Sequence, residues 1–306
     1  IMALMCAISA LFSFVQIPLI PGVPFLTYDP SLVPAMVCTL MGYLLWRGLP
    51  VMGTELLFGR AEPWQAVLGR VPVWDGLWPA CAGTFHLVLL TMALAVFPGV
   101  GCGMYLAEMA TPGQKRVMGA AVDMLAGMPS IVMGLFGFML ILFLRHTFFP
   151  EANTGLLLAA GCLALLVLPV LVASTREAMA AVPASLRLAA AAAGLSRTQT
   201  MFHLCLPAAA RGILGGVVLA VGRAAEDTAV ILFTGVVANA GMPAGLFGKF
   251  EALSFDIYYI SSQYQDQQEL LRGFGAAALL LGISCLLLLA ARALENGFRR
   301  KWQGRA

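Results

Sequence analysis

One apolar stretch of the sequence, residues 212–236, carries three charged side chains: Arg223, Glu226 and Asp227. A guanidinium stays charged in any site, and its paired N–H donors fit the oxygens of a phosphate. On a helix, spacings of three and four residues put both acids on the face of the arginine, so an ion pair is available. Each charge costs about 2.5–3.5 kcal/mol at the centre of a membrane helix. These side chains are therefore expected to face protein or water, as a structural ion pair or as a charged step in a transport pathway.

The composition indicates a membrane protein. Hydrophobic residues make up 60% of the 306 residues and charged residues 11%, against roughly 25% charged residues in soluble domains. A net charge of +3 without a basic stripe does not favour nucleic-acid binding. Seven cysteines lack C-x-x-C spacing and only three histidines are present, so no metal site is expected. A soluble globular protein is excluded on these grounds.

Long apolar runs without period-2 alternation predict an all-α, polytopic membrane helical bundle. Six of these runs form the expected core, at residues 31–46, 80–107, 117–144, 155–173, 212–236 and 273–291. Another run, within residues 1–20, lacks a basic n-region and a cleavage site, so we expect an extra N-terminal helix there. Residues 293–306 form a basic tail that binds the cytoplasmic leaflet.

A polar excursion, residues 175–207, separates two of these apolar runs. Pro183 suits the start of a short helix, and the alanines that follow extend it to Gly194. Ser196 and Gln199 have the spacing of a capping box, which predicts a second helix that ends before Pro207. If this excursion is cytoplasmic, eleven lysines and arginines lie on that side and six on the other. This distribution agrees with the positive-inside rule.

A helix break is expected inside the apolar run at 117–144, because Gly127 and Pro129 interrupt it just before Ser130. A break at membrane depth is tolerated only where neighbouring groups or a cavity satisfy the freed backbone. Such breaks often line pathways, although packing alone also explains each of these residues. The sequence therefore makes these three residues candidates for a gate.

The excursion resembles the "EAA" loop of ABC-importer permeases, which docks on the ATPase subunit. The resemblance lies in the spacing A-A-x3-G-x9-L-x-L-P, from Ala189 to Pro207. The leading glutamate of the family is replaced by Leu188, and Glu177, eleven residues earlier, does not take its place. The resemblance implies that residues 176–207 are a coupling loop, with the candidate contact residues Glu177, Arg187, Ala189, Ala190, Gly194, Leu204 and Pro207.

Two further motifs are similar to phosphate-uptake permeases of the PstA type. One is G-x-P-S-I from Gly127 to Ile131; the other is G-R-A-x-x-[acid]-T-A from Gly222 to Ala229, followed by L-F-T-G. The family usually has glutamate at the position of Asp227 and glycine at that of Glu226. The resemblance implies a substrate pathway containing Arg223, Glu226, Asp227 and Thr228. Relative to the family, Glu226 is an extra acid. Together with Arg223 and Asp227 it gives this segment a net charge of −1, which is unfavourable for the passage of an anion.

The resemblance implies a type I importer permease (MetI-like) fold in a bacterial inner membrane, with phosphate as the substrate. The expected partners are an ATP-binding cassette ATPase dimer, a second permease subunit, an extracytoplasmic phosphate-binding protein and membrane lipid. No GxxxxGK[ST] motif is present, since Gly248-Lys249 is followed by Phe250, so ATP is expected on the partner and no cofactor on this chain. Another oxyanion or solute, and a proton-coupled secondary transporter that uses Arg223 and the two acids as a relay, remain alternatives.

The expected organisation has four parts. Residues 1–30 hold the extra helix and a linker, and residues 31–79 the first core helix with an outer loop. Residues 80–292 form the permease core with the coupling loop, and residues 293–306 the tail.

Overall fold

The computed structural model describes residues 17–18, 27–28, 32–67, 71, 73–243 and 245–303. Most of the expected N-terminal helix lies outside these residues. Within that region, β1 (Ile17–Pro18) and β2 (Thr27–Tyr28) pair as a short antiparallel ladder, so these four residues are not helical.

The rest of the described chain is helical, as predicted. The helices are α1 (Leu32–Gly48), α2 (Thr54–Phe58), α3 (Pro63–Val67), α4 (Trp78–Met104), α5 (Pro112–Ala126), α6 (Ser130–Thr147), α7 (Leu156–Ala180), α8 (Ala184–Ala192), α9 (Arg197–Thr200), α10 (Leu206–Glu226), α11 (Ala229–Thr234), α12 (Leu253–Gln263) and α13 (Gln267–Gln303). A 3₁₀ turn (Leu49–Val51) follows α1, and π-helical turns follow α4 (Tyr105–Met109) and α9 (Met201–Cys205).

Five helical segments of the described chain are long and apolar enough to cross a membrane: Trp78–Met109, Ser130–Thr147, Leu156–Ala180, Arg197–Glu226 and Gln267–Ala293. A shorter apolar helical segment, Met36–Val51, overlaps the first predicted core span, 31–46. The basic tail, residues 293–306, continues α13 as far as Gln303. Residues 237–270 contain α12.

Glycines set the packing at the centre of the bundle. Gly99 and Gly103 of α4 lie against Leu171 and Thr175 of α7, so these two helices run in parallel. Gly212 of α10 lies against Ala178 and Gly216 against Ser174, so α10 runs antiparallel to α7. Gly212 and Gly216 have the small-xxx-small spacing that predicts a close helix contact, and the structure forms it. Because a small residue lets two backbones approach closely, these positions hold α4, α7 and α10 together.

The break predicted inside the run at 117–144 is confirmed, because α5 ends at Ala126 and α6 begins at Ser130. Two other predicted boundaries were wrong. The run at 212–236 also divides, since α10 ends at Glu226 and α11 begins at Ala229.

The second error concerns the second helix of the coupling loop, which does not end before Pro207. It continues through the π-helical turn Met201–Cys205 into α10. A proline lacks an N–H and collides with the carbonyl four residues earlier in a regular helix. The wider π-helical turn immediately before Leu206 accommodates that ring at Pro207.

Substitution of Gly216 tests the packing of α7 on α10. An added Cβ at Gly216 collides with the Ser174 side chain, whereas at Gly215 it meets no atom within 4 Å. We expect Gly216→Ala to destabilise the protein by about 1–3 kcal/mol through overpacking. Gly215→Ala should be neutral or stabilising, because alanine is the better helix former. Thermal unfolding of both variants in the same detergent measures this difference, and equal midpoints would contradict the packing described.

Candidate functional site

Arg223 lies near the middle of the membrane-spanning part of the bundle. The antiparallel register defined by Gly212 with Ala178 and Gly216 with Ser174 continues to bring Arg223 level with Val167. That level is close to the centre of α7. The Arg223 side chain is exposed on this chain, although exposure to lipid at such a depth is unfavourable for a charge. Another protein surface or water must therefore meet it.

A cavity of about 200 Å³ lies beside Arg223, between three helices. Arg223 lines it from α10, Asp123 and Ala126 from α5, and Pro169 from α7. An acidic side chain thus faces the same space as the guanidinium from another helix. Asp123 was not among the residues singled out from the sequence, so this placement was missed.

The predicted break at Gly127, Pro129 and Ser130 lies directly beyond this cavity. The Gly127 N–H donates to the Asp123 carbonyl at 3.1 Å and closes α5, and the Pro129 carbonyl accepts from the first amides of α6. A Cβ at Gly127 would meet only the Asp123 and Met124 carbonyls, at 3.6 and 3.7 Å. Close packing therefore does not explain this glycine, whereas the proline explains the interruption.

Glu226, Asp227 and Thr228 mark a second break rather than one continuous charged helix face. Asp227 has extended backbone geometry, and its Oδ1 accepts the Val230 N–H at 3.0 Å. This hydrogen bond caps the first turn of α11. No ion pair links Arg223 to either acid in the part of the chain that the structure describes. The available ion pair does not form, because α10 ends before Asp227 and directs that carboxylate to the backbone.

The coupling loop has the two predicted helix boundaries at its tip. The α8 helix ends before Gly194, which has a φ of +77°, a conformation that favours glycine. Ser196 and Gln199 form both hydrogen bonds of a capping box. Ala190 is the buried residue of α8, whereas Leu188 is 71% exposed. The loop therefore presents an apolar surface on its outside.

The second half of the coupling loop is joined rigidly to the membrane core. Met201 and Cys205 of the π-helical turn pack with Met179, Val182 and Ile213 in one buried cluster. Leu204 and Pro207 are half-buried beside it. One continuous helical segment, from Arg197 to Glu226, thus connects the coupling loop to the level of Arg223.

Arg187 carries a contact that sequence reasoning did not anticipate. Its Nη2 lies 2.8 Å from Glu108 Oε1 and donates to the Met179 carbonyl at 2.7 Å. Glu108 belongs to the π-helical turn after α4. Glu177 of the same loop is exposed. Because Glu108 and Arg187 are far apart in the chain, local spacing gave no signal of their contact.

A second polar cavity, of about 340 Å³, lies at the opposite end of the bundle. Charged side chains from four segments line it: Asp75, Glu251, Asp256, Glu269 and Arg272. Glu251 is 7% exposed, and its Oε1 accepts the Gly241 N–H at 2.6 Å. Burial raises the pKa of Glu251. Burial, and then the negative charge of Glu251, raise the pKa of Asp256 to about 7, although Arg272 opposes this shift.

Comparison with known proteins identifies the family. Residues 99–300 match the family described as "Binding-protein-dependent transport system inner membrane component". The chain belongs to this family. It is therefore a multi-pass permease subunit of an ABC importer, a class of component that is not itself catalytic. This membership leaves no support for the proton-coupled secondary transporter.

Several relatives carry phosphate in their names. The permease is 32% identical over 252 residues to "Phosphate transport system permease protein PstA" of Haemophilus influenzae, which covers 82% of this chain and 84% of the relative. It is 30% identical over 215 residues to "Phosphate transport system permease protein PstC" of Mesorhizobium japonicum, and the match covers 64% of this chain and 63% of that relative. A third relative, "Probable ABC transporter permease protein YqgI" of Bacillus subtilis, is 27% identical over 89% of this chain and 92% of its own length.

The fold agrees with that of a solved importer. The permease matches a chain of the inward-facing MetNI methionine ABC transporter with a TM-score of 0.55 and 19% identity, over 78% of this chain and 99% of that one. This likeness confirms the predicted MetI-like fold.

The pKa of Asp256 predicts a pH-dependent stability. The carboxyl is protonated in the folded protein up to about pH 7, whereas the unfolded chain releases the proton near pH 4. The free energy of unfolding should therefore fall as pH rises from about 4 to about 7. Asp256→Asn should flatten this slope in thermal unfolding, while Glu151→Gln, at an exposed position, should retain it. An unchanged slope in Asp256→Asn would contradict the assignment.

Proposed function

We propose that this permease translocates inorganic phosphate across a bacterial inner membrane, using ATP hydrolysed by a separate ATPase dimer. The observation that carries the proposal is Arg223, a permanently charged side chain exposed at the middle of the bundle. A second permease subunit and the water of a shared pathway would cover it, since lipid contact is too costly. Its guanidinium donors suit a tetrahedral oxyanion.

The names of the PstA and PstC relatives support phosphate as the substrate. Asp227 is directed at the Val230 N–H rather than at Arg223, so it does not occupy the donors of the guanidinium. Asp123 faces Arg223 across the cavity and would hold the guanidinium in place while no anion is bound. In this proposal, Arg223 receives the anion and Thr228, at the break, adds a hydroxyl.

Movement would begin at the coupling loop. The ATPase would contact the exposed apolar tip around Leu188 and Ala189 and displace it when ATP is bound. The helical segment from Arg197 to Glu226 would carry this displacement to the break at Asp227. The other break, at Gly127–Ser130, would let α6 tilt on α5 and change access to Arg223. On the outside, the exposed Tyr258 and Tyr259 offer a surface for a phosphate-binding protein.

Neutralising Arg223 tests the substrate pathway. We expect Arg223→Gln to lower phosphate uptake at least tenfold, because the charged donor is lost, while the yield of assembled complex stays unchanged. Arg116→Gln, a change at an exposed cytoplasmic position, is the matched control and should transport normally. Uptake is measured in vesicles with labelled phosphate, and with sulfate in parallel. Normal phosphate flux in Arg223→Gln would refute the role, and flux of sulfate alone would refute phosphate as the substrate.

Substitution of Gly194 tests the docking of the coupling loop. A Cβ at Gly194 meets no atom within 4 Å, but the φ of +77° is strained for most side chains. Gly194→Val should therefore misalign α8 and lower the ATPase that co-purifies with the permease severalfold. Gly194→Asn should have a smaller effect, because asparagine tolerates this conformation. Equal ATPase recovery with wild type and Gly194→Val would argue against docking through this turn.

A further inference from the structure

The Glu108–Arg187 ion pair joins three elements at the cytoplasmic end of the bundle. Arg187 lies on α8, Glu108 follows α4, and the Met179 carbonyl belongs to the last turns of α7. One guanidinium contacts both of the others, at 2.8 and 2.7 Å. The side chains of Arg187 and Glu108 are 33% and 24% exposed, so water screens their attraction only in part.

Apolar packing holds α8 only weakly. Ala190 is the buried residue of this helix, and the chain reaches it from α7 through a short turn at Ala181–Pro183. The buried cluster beneath the loop contains Met179 and Val182, which precede α8, and Met201, which follows it. Without the guanidinium, α8 would be free to pivot about this turn. With it, the helix is tied to two membrane-spanning helices at once.

The two helices that Arg187 ties to α8, namely α4 and α7, are themselves closely packed. Gly99 and Gly103 bring α4 against Leu171 and Thr175 of α7. A displacement applied to α8 therefore reaches a pair of helices that cannot slide easily past each other. Leu188, the exposed neighbour of Arg187, occupies the position of the leading glutamate in the EAA loop. The ion pair at this part of the loop, Arg187–Glu108, is therefore directed inward, toward α4. The outward face at Leu188 is apolar.

We propose that Glu108 and Arg187 are positioning residues for coupling: they make α4 and α7 move with α8 when the ATPase displaces the coupling loop. This inference rests on the proposed docking of an ATPase. Breaking the pair should leave the ATPase bound but let α8 pivot without moving the transmembrane helices. ATP would then be hydrolysed with less transport.

The test uses the assembled transporter, reconstituted in proteoliposomes with its ATPase, second permease and binding protein. The variants are Glu108→Gln, Arg187→Gln and the double variant, and the readout is phosphate transported per ATP hydrolysed at equal complex yield. We expect each single variant to lower this ratio at least fivefold and the double variant to lower it no further, as for two residues acting as one unit. Arg187→Lys, which keeps the charge, should retain more than half of the wild-type ratio.

Arg116→Gln removes an exposed charge from the first turns of α5 and serves as the control, with an expected ratio equal to wild type. An unchanged ratio in both single variants, or additive losses in the double variant, would overturn the inference. Loss of bound ATPase in Arg187→Gln alone would also overturn it, because Arg187 would then contact the ATPase directly. Failure of the wild-type permease to bind any ATPase would instead refute the proposed function.

Discussion

Close packing of α4, α7 and α10 is the constraint on which the rest of the structure depends. Gly103 and Gly216 leave no room for a Cβ against α7, so these three helices approach more closely than larger side chains would permit. That approach fixes the register of α10 and hence the level of Arg223. It also brings the ends of α4 and α7 together at the end of the bundle that carries the coupling loop, where Arg187 contacts Glu108, just after α4, and the Met179 carbonyl of α7.

Much of the architecture follows from local sequence. Apolar runs of membrane-spanning length predicted the helices, and Gly212 with Gly216 predicted a close helix contact. The glycine turn at Gly194 and the capping box at Ser196 were also predictable, because each depends on a few neighbouring residues. Such short-range interactions leave a signature in spacing alone.

The errors and omissions have two physical causes. The first cause is local backbone geometry. Pro207 was expected to end a helix, but a π-helical turn carries the helix through it. Asp227 was expected to continue a helix face with Arg223, but it caps the first turn of α11 instead. The sequence signal for this cap was Asp227 followed by Thr228, directly before the apolar run of α11. The second cause is distance along the chain. Asp123 beside Arg223, and Glu108 beside Arg187, meet only through tertiary packing.

The exposed apolar tip of the coupling loop has a consequence for the degradation and abundance of the protein in the cell. Leu188 is 71% exposed, and Leu186, Leu195 and Phe202 are exposed nearby, in a region assigned to the aqueous side. Large apolar side chains in contact with water attract chaperones and proteases when nothing covers them. On the proposal that an ATPase covers this tip, surplus copies made without one would be cleared, so the abundance of the permease would follow that of its partner.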